Sequence, residues 1–364
     1  MVETIPSQRR LFDIPSDVAY LNTAYMGPMP LAAVEAGLAG VRRKARPWEL
    51  TPAHFFDEAE EARSLFARLM RADAEGVALV PAASYGIAVA ARNIPVRAGA
   101  RIVTLEDQFP SNVYAWREKA KAAGAEVVAL DVSGRDATEA VMAALDERTA
   151  LAALPHVLWT TGARIDLEAV GARLRELRAA LVLDLTQSAG AMVCDFGAVR
   201  PDFAVAAAYK WLLGPYSTGF LYVAPHRREG RPLEETWIGR AGSENFAGLV
   251  DYQDAYQPGA RRFDMGERAN FALLPALIAA LRQLLDWTPE AIEATLRAET
   301  ATIAAKAREM GLSPTPDALR GPHYLSIALP DGAPGDLPAR LAAEGVHVSQ
   351  RGRSLRVTPH LWND

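Results

Sequence analysis

"AAAYKWLLGPYSTGFLYV", Ala206 to Val223, sets one lysine between a strand-like apolar run and a turn rich in glycine and hydroxyls. A lysine keeps its ammonium in water unless the charge is paired or removed. Two readings of Lys210 follow. Either the stem is covered while the amine reaches solvent, or the apolar setting lets the amine lose its proton and react. The same segment bears on the fold. "DFAVAAA" (Asp202–Ala208) and "GFLYVA" (Gly219–Ala224) are continuous apolar runs, which is how strands buried on both faces read.

Five further runs of this kind precede them: "GVALVPA" (Gly76–Ala82), "RIVTLE" (Arg101–Glu106), "AEVVALD" (Ala125–Asp131), "TALAALPHV" (Thr149–Val157) and "ALVLDL" (Ala180–Leu185). Amphipathic helices lie between several of them. One begins at Ser111, read as an N-cap, and stops at Gly124; another begins at Asp166. Strand–helix alternation predicts an α/β fold with a large, mainly parallel seven-stranded sheet covered on both faces. The last strand follows so closely on its predecessor that it leaves room for an antiparallel return. From Gly230 to Gly266 the chain is loop-rich. Helical patterns then run from Asn270 to Trp287 and from Thr288 to Met310. A small α+β unit ends the chain, with "HYLSIALP", a helix around Leu337–Glu344, "VHVSQRG" and "SLRVTPHLWN". The expected division is a large domain over residues 16–262 and a small domain from residues 1–15 and 263–364.

The bulk composition excludes several function classes. With 364 residues, half of them hydrophobic, the chain exceeds what one compact core usually holds. A net charge of −5 offers nothing to nucleic acid or an anionic membrane. One cysteine, Cys194, rules out a disulfide within the chain and fits a reducing compartment. No apolar run reaches the roughly 20 residues needed to span a bilayer, and Met1 to Ser7 has no signal-peptide pattern. The expectation is a cytoplasmic protein with no nucleic-acid or membrane partner. His54, His156, His226, His323, His347 and His360 show no metal-ligand spacing, so no metal site is expected. "GPYSTGF" imitates the start of a phosphate loop, but Phe220 stands where the lysine belongs.

Ligands of open α/β sheets bind beyond the C-terminal ends of the strands. "GVALVPA" ends in Ala83-Ser84, where a helix starts. Free N–H groups there, joined by the Ser84 hydroxyl, make an anion cup; alternatively Ser84 is a plain N-cap. "ALVLDL" carries Asp184 near its end, followed by Gln187; Asp184 is a structural acceptor or a partner for a cation. "DFAVAAA" ends at Tyr209-Lys210. One cofactor uses a phosphate cup, a carboxylate and a lysine together. Pyridoxal 5'-phosphate has a phosphate, a ring nitrogen kept cationic by a carboxylate, and an aldehyde that condenses with a lysine amine. Desolvation and nearby positive charge lower that amine's pKa, which gives the apolar flank of Lys210 a purpose.

These residues carry a resemblance. The chain resembles the class V aminotransferase family of fold-type-I pyridoxal-phosphate enzymes, the group containing kynureninase, cysteine desulfurase and isopenicillin N epimerase. "YLNTAYMGPMP" is similar to the family's N-terminal segment, which places Asn22 at the substrate. "DQFPSNVYAW" resembles kynureninase, implying that Phe109 stacks on the cofactor ring. "LDLTQSAGA" resembles the Asp-x-x-Gln/His signature, giving Asp184 the ring nitrogen and Gln187 the ring hydroxyl side. "AAYKWLLGP" resembles the lysine motif, giving Lys210 the Schiff base and Tyr209 a phosphate contact, with Ala83 and Ser84 in the same cup. "RFDMGERANF" resembles the segment that reaches the partner subunit's cofactor. "SLRVTPHLWN" resembles the C-terminal arginine motif, with Arg356 on the substrate α-carboxylate. The resemblance also implies a homodimer with shared sites, Trp237 and Gly266–Arg268 reaching the partner.

The sequence departs from the family pattern in places. Gly266-Glu267-Arg268 replaces Gly-Thr-Pro, and a carboxylate does not suit a phosphate, so Glu267 is given no contact there. Trp159 stands where desulfurases carry a polar residue, and Phe109 replaces their ring-stacking histidine. Cys194 reads as a small core residue, which argues against a persulfide-forming desulfurase. The reading is a pyridoxal-phosphate enzyme acting on a small amino acid, first a class V aminotransferase. The alternatives are Cβ cleavage by a lyase or hydrolase (kynureninase-like or acting on cysteine S-conjugates), epimerisation, and a catalytically silent scaffold. Substrate identity is not legible in the sequence.

Overall fold

The structure is a computed structural model describing residues 2–364. Its strands are β1 (Ala19–Tyr20), β2 (Val77–Val80), β3 (Arg101–Leu105), β4 (Glu126–Leu130), β5 (Thr149–Pro155), β6 (Ala180–Asp184), β7 (Phe203–Ala207), β8 (Gly219–Val223), β9 (Ser313–Pro314), β10 (Leu325–Ala328), β11 (Val346–His347), β12 (Ser349–Arg351) and β13 (Ser354–Val357). Strands β2 to β8 form one seven-stranded sheet in the order β2-β8-β7-β6-β5-β3-β4. All run parallel except β8, which pairs antiparallel with both β2 and β7. The expected α/β sheet is therefore present, and the antiparallel return is real. The turn from Tyr209 to Thr218 is too short for the crossover that a parallel neighbour requires.

The helices are α1 (Leu31–Lys44), α2 (Asp57–Leu69), α3 (Ala83–Asn93), α4 (Tyr114–Ala123), α5 (Ala137–Ala144), α6 (Leu167–Glu176), α7 (Phe196–Val199), α8 (Leu273–Trp287), α9 (Pro289–Glu309) and α10 (Leu337–Ala343). The caps show which sequence signals act. Asp166 accepts from the Glu168 and Ala169 N–H groups to start α6, as the sequence predicts. Gly124 takes the left-handed conformation, with φ 66°, and stops α4. Ser111 is not the cap of α4: Pro110 opens a 3-10 turn over Pro110–Asn112, and the helix starts beyond it.

Two apolar cores cover the two faces of the large sheet, one containing Leu79, Leu154, Leu183 and Phe220, the other Ala78, Val182, Val205 and Leu221. Alternate residues of one strand point to opposite faces, so each strand feeds both. The expected division at 262/263 falls before α8, yet α8 buries Leu274, Leu277, Leu281 and Leu284 in the large core. A separate small core starts with Ala304 and Ala307 of α9 and gathers Leu325, Ile327 and Val357. Strands β12-β13-β10-β9 form its antiparallel sheet, and β1 pairs in parallel with β11. The N-terminal segment is tied to the large core, with Phe12 packed on Trp362 and Trp287. No helix among the described residues is long and apolar enough to cross a membrane.

The departure at Gly266-Glu267-Arg268 has a structural reason. Fully buried Arg268 pairs with Asp264 at 2.5 Å, and buried Arg63 pairs with the same carboxylate at 2.9 Å. Asp264 Oδ1 also accepts from Leu79 N of β2 at 2.7 Å. A buried carboxylate needs this many donors, and together they lock the segment against the edge strand of the sheet.

Candidate active site

The segments that follow β2, β3, β5, β6 and β7 enclose, at the C-terminal edge of the sheet, a cavity of about 450 Å³, a size suited to a coenzyme. Its walls include Ser84, Phe109, Asp184, Gln187, Tyr209 and Lys210. Ala83 also lines it. The sheet thus assembles residues as distant in sequence as Ala83 and Lys210, because β2 and β7 end at the same edge.

The anion cup follows from how α3 begins. The N-cap is Ala82, which has no side chain to cap with. Ser84 lies inside the first turn, so the N-cap reading of Ser84 does not hold. The first intrahelical bond is donated by Tyr85 N to Ala82 O at 3.1 Å, leaving the N–H groups of Ala83 and Ser84 ahead of it. Gly86 lets this helix sit directly on the sheet, since a Cβ there would fall 2.4 Å from Val205 Cγ1.

Asp184 ends β6 and is buried, and burial pushes its carboxyl pKa up. Oδ1 accepts from Thr186 N at 3.0 Å, an Asx-type turn that fixes the side chain toward the cavity. Thr186 in turn accepts from Ala207 N at 3.2 Å, which links the ends of β6 and β7. Gln187 is held at both ends: Nε2 donates to the Ala24 carbonyl at 3.0 Å, and Oε1 accepts from Trp211 Nε1 at 3.0 Å. One amide hydrogen of Gln187 is left over for a ligand.

Lys210 follows β7 and is 7% exposed, so the solvent-reaching alternative fails. Desolvation pulls its amine down to about 8; Arg356 and Arg351 also lower it, while Asp184 opposes them. Nζ lies 5.5 Å from the ring centroids of both Phe109 and Tyr209. The N-terminal segment clamps this turn. Gly27 N donates to Tyr209 O at 2.9 Å, and a Cβ on Gly27 would lie 2.0 Å from Lys210 O, so only glycine fits. Ser217, another wall residue, holds a left-handed conformation with φ 65°, backbone strain of the kind found where a site is fixed by its surroundings.

Arg356 lies outside the immediate cavity wall, on the small-domain side. It is 1% exposed. Nε and Nη2 donate to Ser349 Oγ at 2.9 and 2.6 Å, and Nη1 donates to the Trp159 carbonyl at 2.9 Å. Asn22 is drawn alongside by its bridge to Thr358, and its Oδ1 is buried without a partner. Trp159 stands between the two sides. Its ring meets Phe109 edge-on at 5.4 Å, and its Nε1 donates to the Asp107 carbonyl at 2.6 Å. Trp237 lies away from this chain's cavity, in an aromatic cluster with Phe55 and Phe246. Cys194 is also elsewhere, buried with its thiol pushed up to about 12, so it supplies no thiolate.

Ser349 and Tyr324, whose hydroxyls accept from Arg356, have no signal in the sequence beyond ordinary polar side chains. Thr186 was findable as the second residue after Asp184, the spacing of an Asx turn. Ser349 and Tyr324 depend on the register of short strands.

The residues present fit pyridoxal phosphate. The uncapped helix start suits a phosphate, the fixed Asp184 a cationic ring nitrogen, and the buried Lys210, whose amine gives up its proton more readily than a free lysine, an aldehyde. The comparisons agree. A family model described as Aminotransferase class-V matches residues 46–359. The chain is 30% identical over 292 residues to a kynureninase of Deinococcus radiodurans, covering 77% of this chain and 68% of that one. It is 26% identical over 307 residues to an isopenicillin N epimerase of Streptomyces clavuligerus, covering 80% and 73%. In fold it is similar to a C-DES variant with glycine covalently linked to its PLP cofactor, with TM-score 0.88 and 19% identity over 98% of this chain and 96% of that one.

Proposed function

Because the chain belongs to the class V aminotransferase family of pyridoxal-phosphate enzymes, we propose that it is an aminotransferase acting on a small α-amino acid. The observation that carries this reading is Lys210, buried in one cavity with Asp184 and lowered to about 8. Pyridoxal phosphate bound there supplies an aldehyde for amine attachment and a ring that withdraws electrons from the bonds at Cα. The N–H groups of Ala83 and Ser84 and the Ser84 hydroxyl would hold its phosphate, with Tyr209 beside them. Phe109 would cover the ring face, Gln187 would donate to the ring hydroxyl side, and Asp184 would face the ring nitrogen. Lys210 would anchor the aldehyde and, once displaced, move the proton at Cα. Arg356 would grip the substrate α-carboxylate with two parallel hydrogen bonds, Asn22 lying beside it, and so fix which Cα bond faces the ring.

We further propose a cytoplasmic homodimer in which Trp237 and Gly266–Arg268 complete the partner's site. Exposed apolar residues between the sheet and α8, among them Trp237, Val250 and Tyr252, support it. A monomer at micromolar concentration that still turns over would contradict it.

The reaction type is tested by spectroscopy of the loaded enzyme. A productive amino acid should bleach the cofactor's visible band, and a keto acid should restore it. If the band persists while pyruvate, alanine or ammonia accumulates, Cβ cleavage replaces transamination. The likeness to kynureninase, with Phe109 against the cavity, favours that second reading.

A further inference from the structure

Arg356 does not stand alone on its sheet. In the antiparallel pairing of β12 and β13, Ser349 lies opposite Arg356 and Arg351 opposite Ser354. Residues two apart on a strand share a face, so Arg351 and Arg356 are diagonal neighbours on one face. Both guanidiniums stand over the Trp159 ring, at 5.5 and 5.9 Å from its centroid. Among the described residues neither forms an ion pair. Arg351 donates only to the Gln350 carbonyl, at 2.7 Å, and Arg356 only to hydroxyls and a carbonyl. Desolvation, and then Arg356 itself, lowers the pKa of Arg351.

Two partly desolvated cations held side by side without a counterion cost stability. The cost falls if a ligand brings two negative groups. One is the α-carboxylate that Arg356 takes; the second has to come from the side chain. Trp159 fixes the spacing, since both arginines rest on one ring that is itself held by Phe109 and the Asp107 carbonyl.

Resting on the reading of Arg356 above, we infer that Arg351 is a second anion-recognition residue and that the substrate is an amino acid whose side chain ends in an anionic group. Arginine in place of lysine suits this, because its planar fork stacks on an indole while still offering N–H pairs to a carboxylate.

The test separates binding from turnover. Glutarate and succinate carry two carboxylates and no amine, and butyrate carries one. Calorimetry on the cofactor-loaded enzyme should show glutarate or succinate binding at least about tenfold more tightly than butyrate, the margin of one charge-assisted pair. Arg351→Gln should bring the ratio within about twofold, and Arg351→Lys, which keeps the charge and the fold, should retain part of it. In turnover, the kcat/KM ratio of glutamate to glutamine, or of aspartate to asparagine, should fall at least about tenfold in Arg351→Gln. Equal binding of mono- and dicarboxylates by the wild type overturns the inference, as does a dicarboxylate preference that Arg351→Gln leaves intact. Turnover confined to neutral amino acids also overturns it while leaving the aminotransferase reading in place. Conversely, dicarboxylate binding that depends on Arg351, in a protein that transaminates nothing, supports the anion pair and sinks the aminotransferase reading alone.

Discussion

The edge of the large sheet and the face of the small sheet approach the same lysine with opposite chemistry. At the large sheet, Asp184 brings negative charge from the end of a fully buried strand, fixed by a local turn to Thr186. At the small sheet, Arg351 and Arg356 bring positive charge from three- and four-residue strands, both set over the ring of Trp159, far away in sequence, with Arg356 also held by Ser349 on the neighbouring strand. The first wall fits a group that stays: its donors and acceptors are few and fixed by the fold. The second wall carries excess charge that only a passing ligand neutralises. Cofactor chemistry belongs to the rigid edge, and substrate selection belongs to the unbalanced face.

The hardest blow to the large-sheet side is Lys210→Ala. It should remove covalent attachment and cut turnover by about 10³-fold, in the range of losing a proton-transfer group. Borohydride reduction of the wild type followed by peptide mapping checks it, since the label must land on the peptide containing Lys210. A label on another lysine refutes the assignment. Asp184→Asn comes next, at about 10² to 10³-fold in kcat, the scale of one preorganised electrostatic group. Circular dichroism separates this from misfolding. A folded, cofactor-bearing variant with normal turnover removes Asp184 from the site.

On the small-sheet side the effect shrinks. Arg356→Lys should lose about tenfold in kcat/KM for α-amino acids, roughly 1.4 kcal/mol. A lysine cannot reproduce the two parallel hydrogen bonds of the guanidinium. Amines without a carboxylate should be nearly indifferent. Equal loss for both substrate types means that Arg356 only packs.

The same contrast governs what the sequence discloses. The central strands of the large sheet are legible because a strand buried on both faces is an unbroken apolar run, as "ALVLDL" and "DFAVAAA" are, and the edge strand β4, half exposed, is legible by its apolar run "VVAL". Asp184 and Lys210 are then placed by topology, since ligands gather where such strands end. Arg351 is invisible by comparison. Its strand spans three residues, too few to show a period, and its meaning depends on pairing with β13 and on a tryptophan in a distant loop. The cap at Ser111 misleads for a related reason: Pro110 imposes a tighter turn that outweighs the local hydroxyl.

The smallest effect sharpens the comparison most, because the two walls should move one number in opposite directions. Lys210 captures an aldehyde only as the free amine, so the rate at which cofactor-free protein takes up pyridoxal phosphate should rise with pH to a midpoint near about 8. Desolvation is the largest cause of that value, and the charges of the two walls shift it in opposite directions. Arg356 and Arg351 disfavour the ammonium, so Arg356→Gln lets the amine hold its proton more tightly, and the midpoint rises. Asp184 favours the ammonium, so Asp184→Asn lowers the midpoint. Stopped-flow uptake measured across pH 6 to 10 on the three proteins, at matched ionic strength, reads the shifts directly, since exposed charges are screened by salt and these are not. If both substitutions move the midpoint the same way, the two walls do not act on Lys210 as opposed charges. If neither moves it, burial alone tunes the lysine and the arginine face concerns the substrate only.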